Sequence, residues 1–555
     1  MRIDKIAFVS GSGPGKPGLE IWPNRIVLFI GPNNGGKSRA LAEIQQYINP
    51  TTNFGALVVN YVKRSDIESD EFDSKLIRVR GQKQAGDDPS LSTVVVEMRG
   101  ARVLRNVDTL KSHINNNSNP SMNQYVGNNF LRHFYINLGG SNRLALTNKV
   151  EAQPVRTNAK TTISALLNND SVREELSDIV FKAFNQYLAI DPTQMPQIQY
   201  KLVSQKPENG VEERFDDHSL DFFNRGMALA DASDGTKAFI GILAEVMAGD
   251  PDIVFIDEPE AFLHPSLQYL LGQQIAEKAS AGKHVYAATH SPSFLLGCVL
   301  SGAEVDVVRL THRSGNATAR HLDSSRIKTL MTDPLFRSVG ASNALFFESA
   351  VVVEGDSDRA FYEEVNTRLL RFEDRGVRHA SFLNAHNKQT AVNIVKPLRE
   401  IGIPAASILD IDWIKEDGQV WDRYFSAMGA PSGLKESIAM ARRSVRASFE
   451  KKFIDFKRHG GINLLDDEER LAAEAFFSQC DSYGLFTVRS GELESWLPSL
   501  QVERTKSKWL ASIFASMGSD PDQGGYLKPS SDDVWDFLCR IAEWAADPNR
   551  LGMAS

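Results

Sequence analysis

A glycine-rich loop carrying a lysine and a serine directly follows an apolar run near the start of the chain. Residues 31–38 read G-P-N-N-G-G-K-S after the run R-I-V-L-F-I. Glycines let main-chain N–H groups turn toward phosphate oxygens, while Lys37 can reach the terminal phosphates and Ser38 can hold Mg²⁺. The predicted nucleotide-binding residues here are Gly31, Asn33, Asn34, Gly35, Gly36, Lys37, Ser38 and Arg39.

Two acids end a second apolar run and suit the same chemistry. In D-I-V-F-I-D-E-P-E, Asp257 is placed to bind Mg²⁺ and Glu258 to polarise an attacking water. Taken alone, this acidic strand end could equally cap a helix. His290 follows the next apolar run at a spacing that suits a γ-phosphate sensor. Upstream, Ser233 and Gly235 lie in a Ser-x-Gly turn that opens an apolar helical segment.

A separate set of carboxylates lies in the second half of the chain. The run A-V-V-V ends in E-G-D-S-D, and the run A-S-I-L ends in D-I-D. Acids at the carboxyl ends of neighbouring strands can share a hard cation, and their mutual repulsion is costly without one. The predicted Mg²⁺ or Mn²⁺ ligands are Glu354, Asp358, Asp410 and Asp412, and a third acidic motif, R-S-G-E-L-E, follows at residues 489–494.

Each of these groups requires a buried strand to deliver it, which predicts an α/β fold with parallel sheets. The chain has 555 residues, too many for one hydrophobic core, and 42% of them are hydrophobic. We expect no transmembrane helix, because no apolar stretch of about 18 residues occurs. The three scattered cysteines fit core positions in a reducing cytoplasm, and the net charge of −8 argues against indiscriminate DNA coating.

The order of these motifs resembles that of ABC-type ATPases of the SMC-like and OLD-like branch. The later acids resemble a TOPRIM domain, and the two together resemble OLD-family nucleases, including Gabija-type ones. The resemblance implies an ABC-type ATPase domain at 1–340, with a helical dimerisation insert at about 104–200, and a TOPRIM domain at 341–555, with a helical insert at about 414–482. It also implies ATP sandwiched between two subunits, with Ser233 and Gly235 of one subunit binding the nucleotide held by the other.

From this resemblance we expect a cytoplasmic, ATP-controlled, metal-dependent DNA endonuclease of bacterial anti-phage defence. The resemblance further implies that Glu492 and Glu494 complete the metal site. Glu354, Asp410, Asp412 and Glu494 would be catalytic, and Lys528 is the chosen assisting lysine over Lys506 and Lys508. The implied partners are a homodimer, with tetramers left open, and a companion defence protein or a retron reverse transcriptase with its RNA. Two alternatives stay open: a non-cleaving SMC-like DNA clamp or repair ATPase, and an RNase acting on RNA such as tRNA.

A basic helical segment offers a way for an acidic protein to hold nucleic acid. Residues 434–456 carry apolar residues at helical spacing with basic residues between them. A solvated helix face is the commoner meaning of such a pattern. Because the segment lies between the two later acidic motifs, we expect Arg442, Arg443 and Arg446 to contact substrate phosphates.

Overall fold

The computed structural model describes residues 1–49, 55–88, 90, 92–98, 101–115, 120–152, 159, 161–249, 251–279, 282–313, 315–452 and 454–553. The chain divides into two compact units, Met1–Lys328 and Thr329–Ser555. Both units combine helices with a sheet of mainly parallel strands, which confirms the predicted α/β class. No helix among the described residues is long and apolar enough to cross a membrane.

The first unit contains these elements in chain order. Its strands are β1 (Ile3–Phe8), β2 (Glu20–Ile21), β3 (Ile26–Ile30), β4 (Val59–Arg64), β5 (Arg80–Gly81), β6 (Thr93–Met98), β7 (Ala101–Asn106), β8 (Tyr135–Leu138), β9 (Val150–Glu151), β10 (Tyr187–Asp191), β11 (Gln197–Val203), β12 (Met227–Ala228), β13 (Ile253–Asp257), β14 (His284–Ala288), β15 (Val305–Arg313) and β16 (Asn316–Leu322). Its helices are α1 (Lys37–Ile48), α2 (Ser69–Val79), α3 (Val107–His113), α4 (Pro120–Asn129), α5 (Gly140–Ala145), α6 (Thr162–Leu167), α7 (Asp170–Phe184), α8 (Asp217–Asn224), α9 (Asp234–Ala248), α10 (Pro265–Ala279), α11 (Pro292–Leu300) and α12 (Ser324–Thr332), which runs across the boundary.

The central sheet of this unit has the strand order β16-β15-β3-β14-β13-β8. All five strands from β15 to β8 run parallel, and only β16 is antiparallel to its neighbour. Every residue of β3 is buried, as its unbroken apolar sequence requires of a strand covered on both faces. Because β3, β13 and β14 run parallel and in register, the loops that follow them leave from one edge of the sheet.

The interval of about 104–200, predicted as a helical insert, contains helices α3 to α7 but also several strands. Its predicted role in dimerisation stays a prediction. Tyr135–Leu138 is β8, the edge strand of the central sheet beside β13. Tyr187–Asp191 and Gln197–Val203 pair as antiparallel strands. The interval therefore includes part of the domain's own sheet, because β8 pairs with a strand more than a hundred residues away in sequence.

The second unit is a smaller α/β domain. Its elements are α13 (Pro334–Ser338), β17 (Ser349–Val353), α14 (Asp356–Phe372), β18 (Ala380–Asn384), α15 (Lys388–Glu400), β19 (Ala405–Asp410), α16 (Gly418–Met428), α17 (Lys435–Glu450), α18 (Asp467–Ser482), β20 (Leu485–Val488), α19 (Lys506–Met517) and α20 (Asp533–Ala546). The sheet order is β18-β17-β19-β20, and every pairing is parallel. The carboxyl ends of β17, β19 and β20 therefore share one edge, where Glu354, Asp410 and the turn after Val488 lie.

Candidate nucleotide and metal sites

The glycines of the phosphate loop are required by close backbone packing as well as by the turn. Gly31 has a φ of +134°, and a Cβ there would come within 2.0 Å of the carbonyl oxygen of Leu310 on β15. A Cβ on Gly35 would come within 2.6 Å of the same oxygen, and Gly36 has a φ of +93°. A side chain at these positions would push the loop off the sheet. Asn33 and Asn34 form the exposed part of the loop.

The loop and the acidic strand end meet at the start of α1. The ammonium of Lys37 donates hydrogen bonds to the carbonyl oxygens of Gly31, at 3.0 Å, and Pro32, at 2.8 Å. The hydroxyl of Ser38 donates to Oδ1 of Asp257 at 2.9 Å. The predicted phosphate-binding lysine and both predicted Mg²⁺ ligands are thus brought together from residues about 220 apart in sequence.

Burial shifts the pKa values of two charged groups in this site. It lowers the pKa of Lys37 to about 8, although Glu260, Asp257 and Glu258 act in the opposite direction. It also raises the pKa of Asp257, and the hydrogen bond from Ser38 opposes that shift. Lys37 is buried and Asp257 half-buried, whereas Ser38 and Glu258 are exposed, so the site is only partly shielded from water.

Glu258 has an unusual backbone conformation held from two sides. Its φ is +52°, in the left-handed region that costs energy for a residue other than glycine. Its N–H donates to the carbonyl of Ala288 at the end of β14, at 2.8 Å. Its carbonyl accepts a hydrogen bond from Nη1 of Arg143, which is 2% exposed. No role for Arg143 is predicted from the sequence, and in the structure its side chain anchors this turn.

Glu260 connects the acidic strand end to His290. One carboxylate oxygen accepts from the N–H of His290, and the other accepts from Oγ1 of Thr289 at 2.8 Å. Burial raises the pKa of Glu260. Burial also lowers the pKa of His290, and the nearby charge of Lys37 lowers it further. His290 thus shares the electrostatic environment of Lys37, Asp257 and Glu258, and Glu260, absent from the sequence prediction, positions its backbone.

Three other predicted nucleotide-binding residues lie apart from these contacts. The guanidinium of Arg39 donates instead to Glu43, at 2.6 Å, and to the carbonyl of Gly55, at 3.0 Å. Ser233 caps α9 by accepting a hydrogen bond from the N–H of Thr236. Gly235 packs so closely on the chain that a Cβ there would come within 2.5 Å of the carbonyl of Phe262. Binding of a partner's nucleotide by Ser233 and Gly235 therefore stays a prediction.

In the second unit, Glu354 and Asp410 lie together at the edge of the sheet. Oε1 of Glu354 accepts a hydrogen bond from the N–H of Asp410 at 2.9 Å. Burial raises the pKa of Glu354 to about 8, with a further contribution from Asp410 and a smaller one from Asp358. A buried carboxyl beside two other acids is the environment that a divalent cation would relieve.

Two lysines lie among these acids, and neither was predicted. Nζ of Lys457 is 2.8 Å from Oδ2 of Asp410 and 3.2 Å from Oδ1 of Asp412. Nζ of Lys388 is 3.0 Å from Oδ2 of Asp412. Burial alone would raise the pKa of Asp412, but Lys457 and Lys388 outweigh it and the pKa is lowered. Within the described ranges, no three Asp, Glu, His or Cys side chains converge as a metal-binding group.

The turn that carries Glu492 and Glu494 begins beside the Asp410 strand end. The carbonyl of Gly491 accepts a hydrogen bond from the N–H of Ile411 at 2.9 Å. Oγ of Ser495 donates to the carbonyl of Glu492 at 2.6 Å, which closes the turn. The carbonyl of Glu494 accepts from Arg504. The third acidic motif is thus attached to the second through the backbone.

The choice of Lys528 as the assisting lysine is wrong. It is exposed, and its Nζ lies 5.4 Å from the ring centroid of Phe372, the last residue of α14. Asp358 lies in the first turn of the same helix. At 1.5 Å per residue these helix ends are about 20 Å apart, so Lys528 cannot assist at the acids.

The predicted phosphate contact is also wrong for Arg442. This side chain is 2% exposed, donates to the carbonyls of Ile414, at 2.8 Å, and Glu416, and pairs with Asp417 at 2.6 Å. It faces inward because α17 packs against the segment that follows Asp410. Arg443 and Arg446 are more exposed; Arg443 pairs with Glu436, and Arg446 pairs with Asp417 and Glu450.

Two sequence families match separate parts of the chain. Residues 26–296 match an AAA domain described as a putative AbiEii toxin of type IV toxin–antitoxin systems. Residues 345–412 match the TOPRIM domain of proteins like the overcoming lysogenization defect protein. The chain joins an AAA-type ATPase domain to an OLD-like TOPRIM domain. The predicted resemblance to OLD-family proteins is thereby confirmed.

Two relatives share part of this sequence. The Old nuclease of Escherichia phage P2 is 28% identical over 193 residues, 32% of this chain and 31% of the relative. The endonuclease GajA of Bacillus cereus strain VD045 is 32% identical over 119 residues, 20% of this chain and 18% of the relative. The alignments thus span less than a third of each relative. The SMC head domain from Thermotoga maritima aligns with 58% of this chain and all of its own, at 11% identity and a TM-score of 0.30, too low to support an argument.

Proposed function

We propose that the protein is an ATP-hydrolysing, divalent-metal-dependent endonuclease that cleaves DNA. The observation that carries the proposal is the presence of two separate acidic sites at the carboxyl edges of two parallel sheets. One contains Lys37, Ser38, Asp257 and Glu258, and the other contains Glu354, Asp410 and Asp412. The partial likeness to two proteins named as nucleases supports the same conclusion.

In the first site, the chain's own groups are suited to hold and hydrolyse a nucleoside triphosphate. The loop N–H groups and Lys37 would bind the phosphates, while Ser38 and Asp257 would hold Mg²⁺. Glu258 would orient and deprotonate the attacking water, since its turn is fixed by Arg143 and Ala288. His290, held by Glu260, would contact the γ-phosphate from the neighbouring strand end.

The residues of the second site fit a hard cation. Their donors are carboxylate oxygens, the ligands that Mg²⁺ and Mn²⁺ prefer, and Glu354 is buried against Asp410 at a cost that a cation would offset. Glu354, Asp358, Asp410 and Asp412 would hold the metal, joined by Glu492 and Glu494. Bound metal would activate a water and stabilise the leaving oxygen of a phosphodiester. Arg443 and Arg446 remain candidate phosphate contacts on α17.

Cleavage assays with purified protein test the function directly. Plasmid DNA, linear DNA and tRNA are incubated with Mg²⁺ or Mn²⁺, with and without ATP, and compared with EDTA and with Glu354→Gln. Metal-dependent DNA cutting that Glu354→Gln abolishes is expected. Cutting confined to tRNA would favour the RNase alternative. ATP-dependent DNA binding without any cutting would favour the clamp alternative.

The quaternary and biological parts of the proposal rest on the OLD resemblance alone. We propose an ATP-linked homodimer through the ATPase domain and a role in anti-phage defence, with a companion protein encoded nearby. Light scattering with Glu258→Gln and ATP should give twice the monomer mass if the sandwich forms. The Ser233→Arg variant should stay monomeric, because its bulky cation would block the partner's nucleotide.

A further inference from the structure

The ammonium of Lys457 contacts the carboxylate oxygens that would bind a metal cation in the TOPRIM domain. Its ammonium lies 2.8 Å from Asp410 and 3.2 Å from Asp412, and the three side chains are only 12–20% exposed. Lys388 contacts the other oxygen of Asp412 and also Glu416, each at 3.0 Å. Lys457 therefore bridges the two acids of the Asp-x-Asp motif, whereas Lys388 contacts only one of them.

The position of Lys457 is fixed by backbone packing. Gly491 has a φ of +126°, and a Cβ there would come within 2.1 Å of the carbonyl oxygen of Lys457. The N–H of Ile462 donates to the carbonyl of Arg489 at 2.9 Å, which ties the same segment to the turn after β20. That turn bonds to Ile411, between the two acids. The main chain at Lys457 and just after it is thus packed against the turn after β20, unlike that of a lysine on a free surface loop.

A unit positive charge and a divalent cation cannot both take these oxygens at contact distance. Both Coulomb repulsion between the cations and the limited lone pairs of the carboxylates oppose it. In return, an ammonium between two acids relieves their repulsion and holds their side chains in place. The same contacts that stabilise the metal-free acids must therefore be given up when metal enters.

We propose that Lys457 is a positioning residue and an internal counter-cation: it holds Asp410 and Asp412 together before metal binds and is displaced by the metal. The proposal rests on the metal site of the proposed function. It gives a function to the position of residue 457, where the insert of about 414–482 contacts Asp410 and Asp412. The insert would then act on the metal site through Lys457 and not through Arg442. Lys457 thereby sets the metal affinity of the site.

Metal binding measured by calorimetry with Mn²⁺ tests this role without using activity. Lys457→Met should bind Mn²⁺ about tenfold more tightly, because the metal no longer competes with a unit charge at these oxygens. Lys457→Arg keeps the charge and should stay close to the wild-type affinity. The matched control is Lys452→Met, which removes a lysine of the same insert that contacts Glu469 at 3.1 Å. It should not change the affinity.

A second measurement uses the unaltered protein, in case Lys457→Met does not fold. Acetylation of lysines by a small reagent is followed by mass spectrometry with and without Mn²⁺. Labelling of Lys457 should rise severalfold when Mn²⁺ binds, while labelling of Lys452 stays constant. Unchanged or reduced labelling of Lys457, or unchanged or weaker metal binding by a folded Lys457→Met, would overturn the proposal.

The Asp410→Asn variant separates this proposal from the proposed function. If wild-type protein binds Mn²⁺ and Asp410→Asn does not, the metal site stands and the Lys457 variants decide the present inference. If wild type binds no Mn²⁺ in a way that depends on Asp410, the metal site itself is wrong, and the inference falls with it.

Discussion

The guanidinium of Arg143 donates a hydrogen bond to the main-chain carbonyl of Glu258, the proposed water-activating residue. Arg143 also donates from Nε to Gly140 at 3.2 Å, which joins the turn after β8 to the turn after β13. Glu258 has a left-handed backbone, so its position depends on such anchors. Burial lowers the pKa of Arg143, whereas the negative charges of Glu258, Glu260 and Asp257 act to raise it.

Loss of this anchor should impair hydrolysis more than nucleotide binding. We expect Arg143→Met to lower kcat for ATP by about 10²-fold, since small displacements of a reacting group have effects of that size. The affinity for ATP should change little, because Lys37 and the loop remain. Steady-state ATPase rates and binding of a fluorescent ATP analogue measure the two effects. An unchanged kcat in a folded variant would show that Glu258 does not depend on Arg143.

Replacing Glu258 itself should uncouple binding from hydrolysis. Glu258→Gln keeps the size of the side chain but removes its basicity, so we expect kcat to fall by about 10²–10⁴-fold. Lys37→Ala should instead weaken ATP binding. The pair is measured by nucleotide binding and phosphate release under the same conditions. Hydrolysis at the wild-type rate by Glu258→Gln would exclude it as the general base.

The two acidic sites should be separable by mutation. Glu354→Gln or Asp410→Asn should abolish cleavage, while ATP hydrolysis stays within about twofold of wild type, since the two sites belong to separate domains and share no residue. EDTA should stop cutting by the wild-type protein. Cleavage that persists in both variants with saturating metal would remove the TOPRIM acids as the catalytic site.

Neighbouring arginines on α17 should differ sharply in their effect on stability. Arg442→Met leaves the carbonyls of Ile414 and Glu416 without their donor, and we expect a loss of about 2 kcal/mol in unfolding free energy. Arg443→Met removes an exposed pair with Glu436 and should change it by less than about 1 kcal/mol. Urea unfolding followed by tryptophan fluorescence compares the two. Equal effects would contradict a structural role for Arg442.

His284 should make the first unit sensitive to mild acid. Burial lowers its pKa from 6.5 to about 4, with Arg25 contributing further. The unfolded chain then takes up a proton at a higher pH than the folded one, so stability falls as the pH drops from 6.5 toward 4. A shift of this size corresponds to a loss of roughly 3 kcal/mol by pH 4, and we expect His284→Gln to remove it.

The pH dependence is measured as melting temperature between pH 4 and 8. Other groups titrate in this range, so the informative quantity is the difference between wild type and His284→Gln at each pH. His218→Gln, which changes an exposed histidine on α8, is the control. The His284 assignment fails if wild type and His284→Gln lose stability in parallel.

The sequence by itself determined which residues carry the local chemistry. The loop Gly31–Ser38, the pair Asp257–Glu258 and the acids Glu354, Asp410 and Asp412 each follow a buried apolar strand, and strand ends of parallel sheets converge. These patterns are local, because each needs only a few consecutive residues to be recognised. They predicted the α/β class and the two domain types.

Only the tertiary structure decided which residues support that chemistry. Arg143, Glu260 and Lys457 are single charged residues whose partners lie far away or in another turn, so spacing gives no signal for them. The two wrong predictions have the same cause, because Arg442 and Lys528 lie near the correct motifs only in sequence. In the structure Arg442 faces inward from α17, and Lys528 lies near Phe372 at the far end of α14. Hydrogen bonds and ion pairs form only between groups about 3 Å apart, and the packing of strands and helices decides which groups come that close.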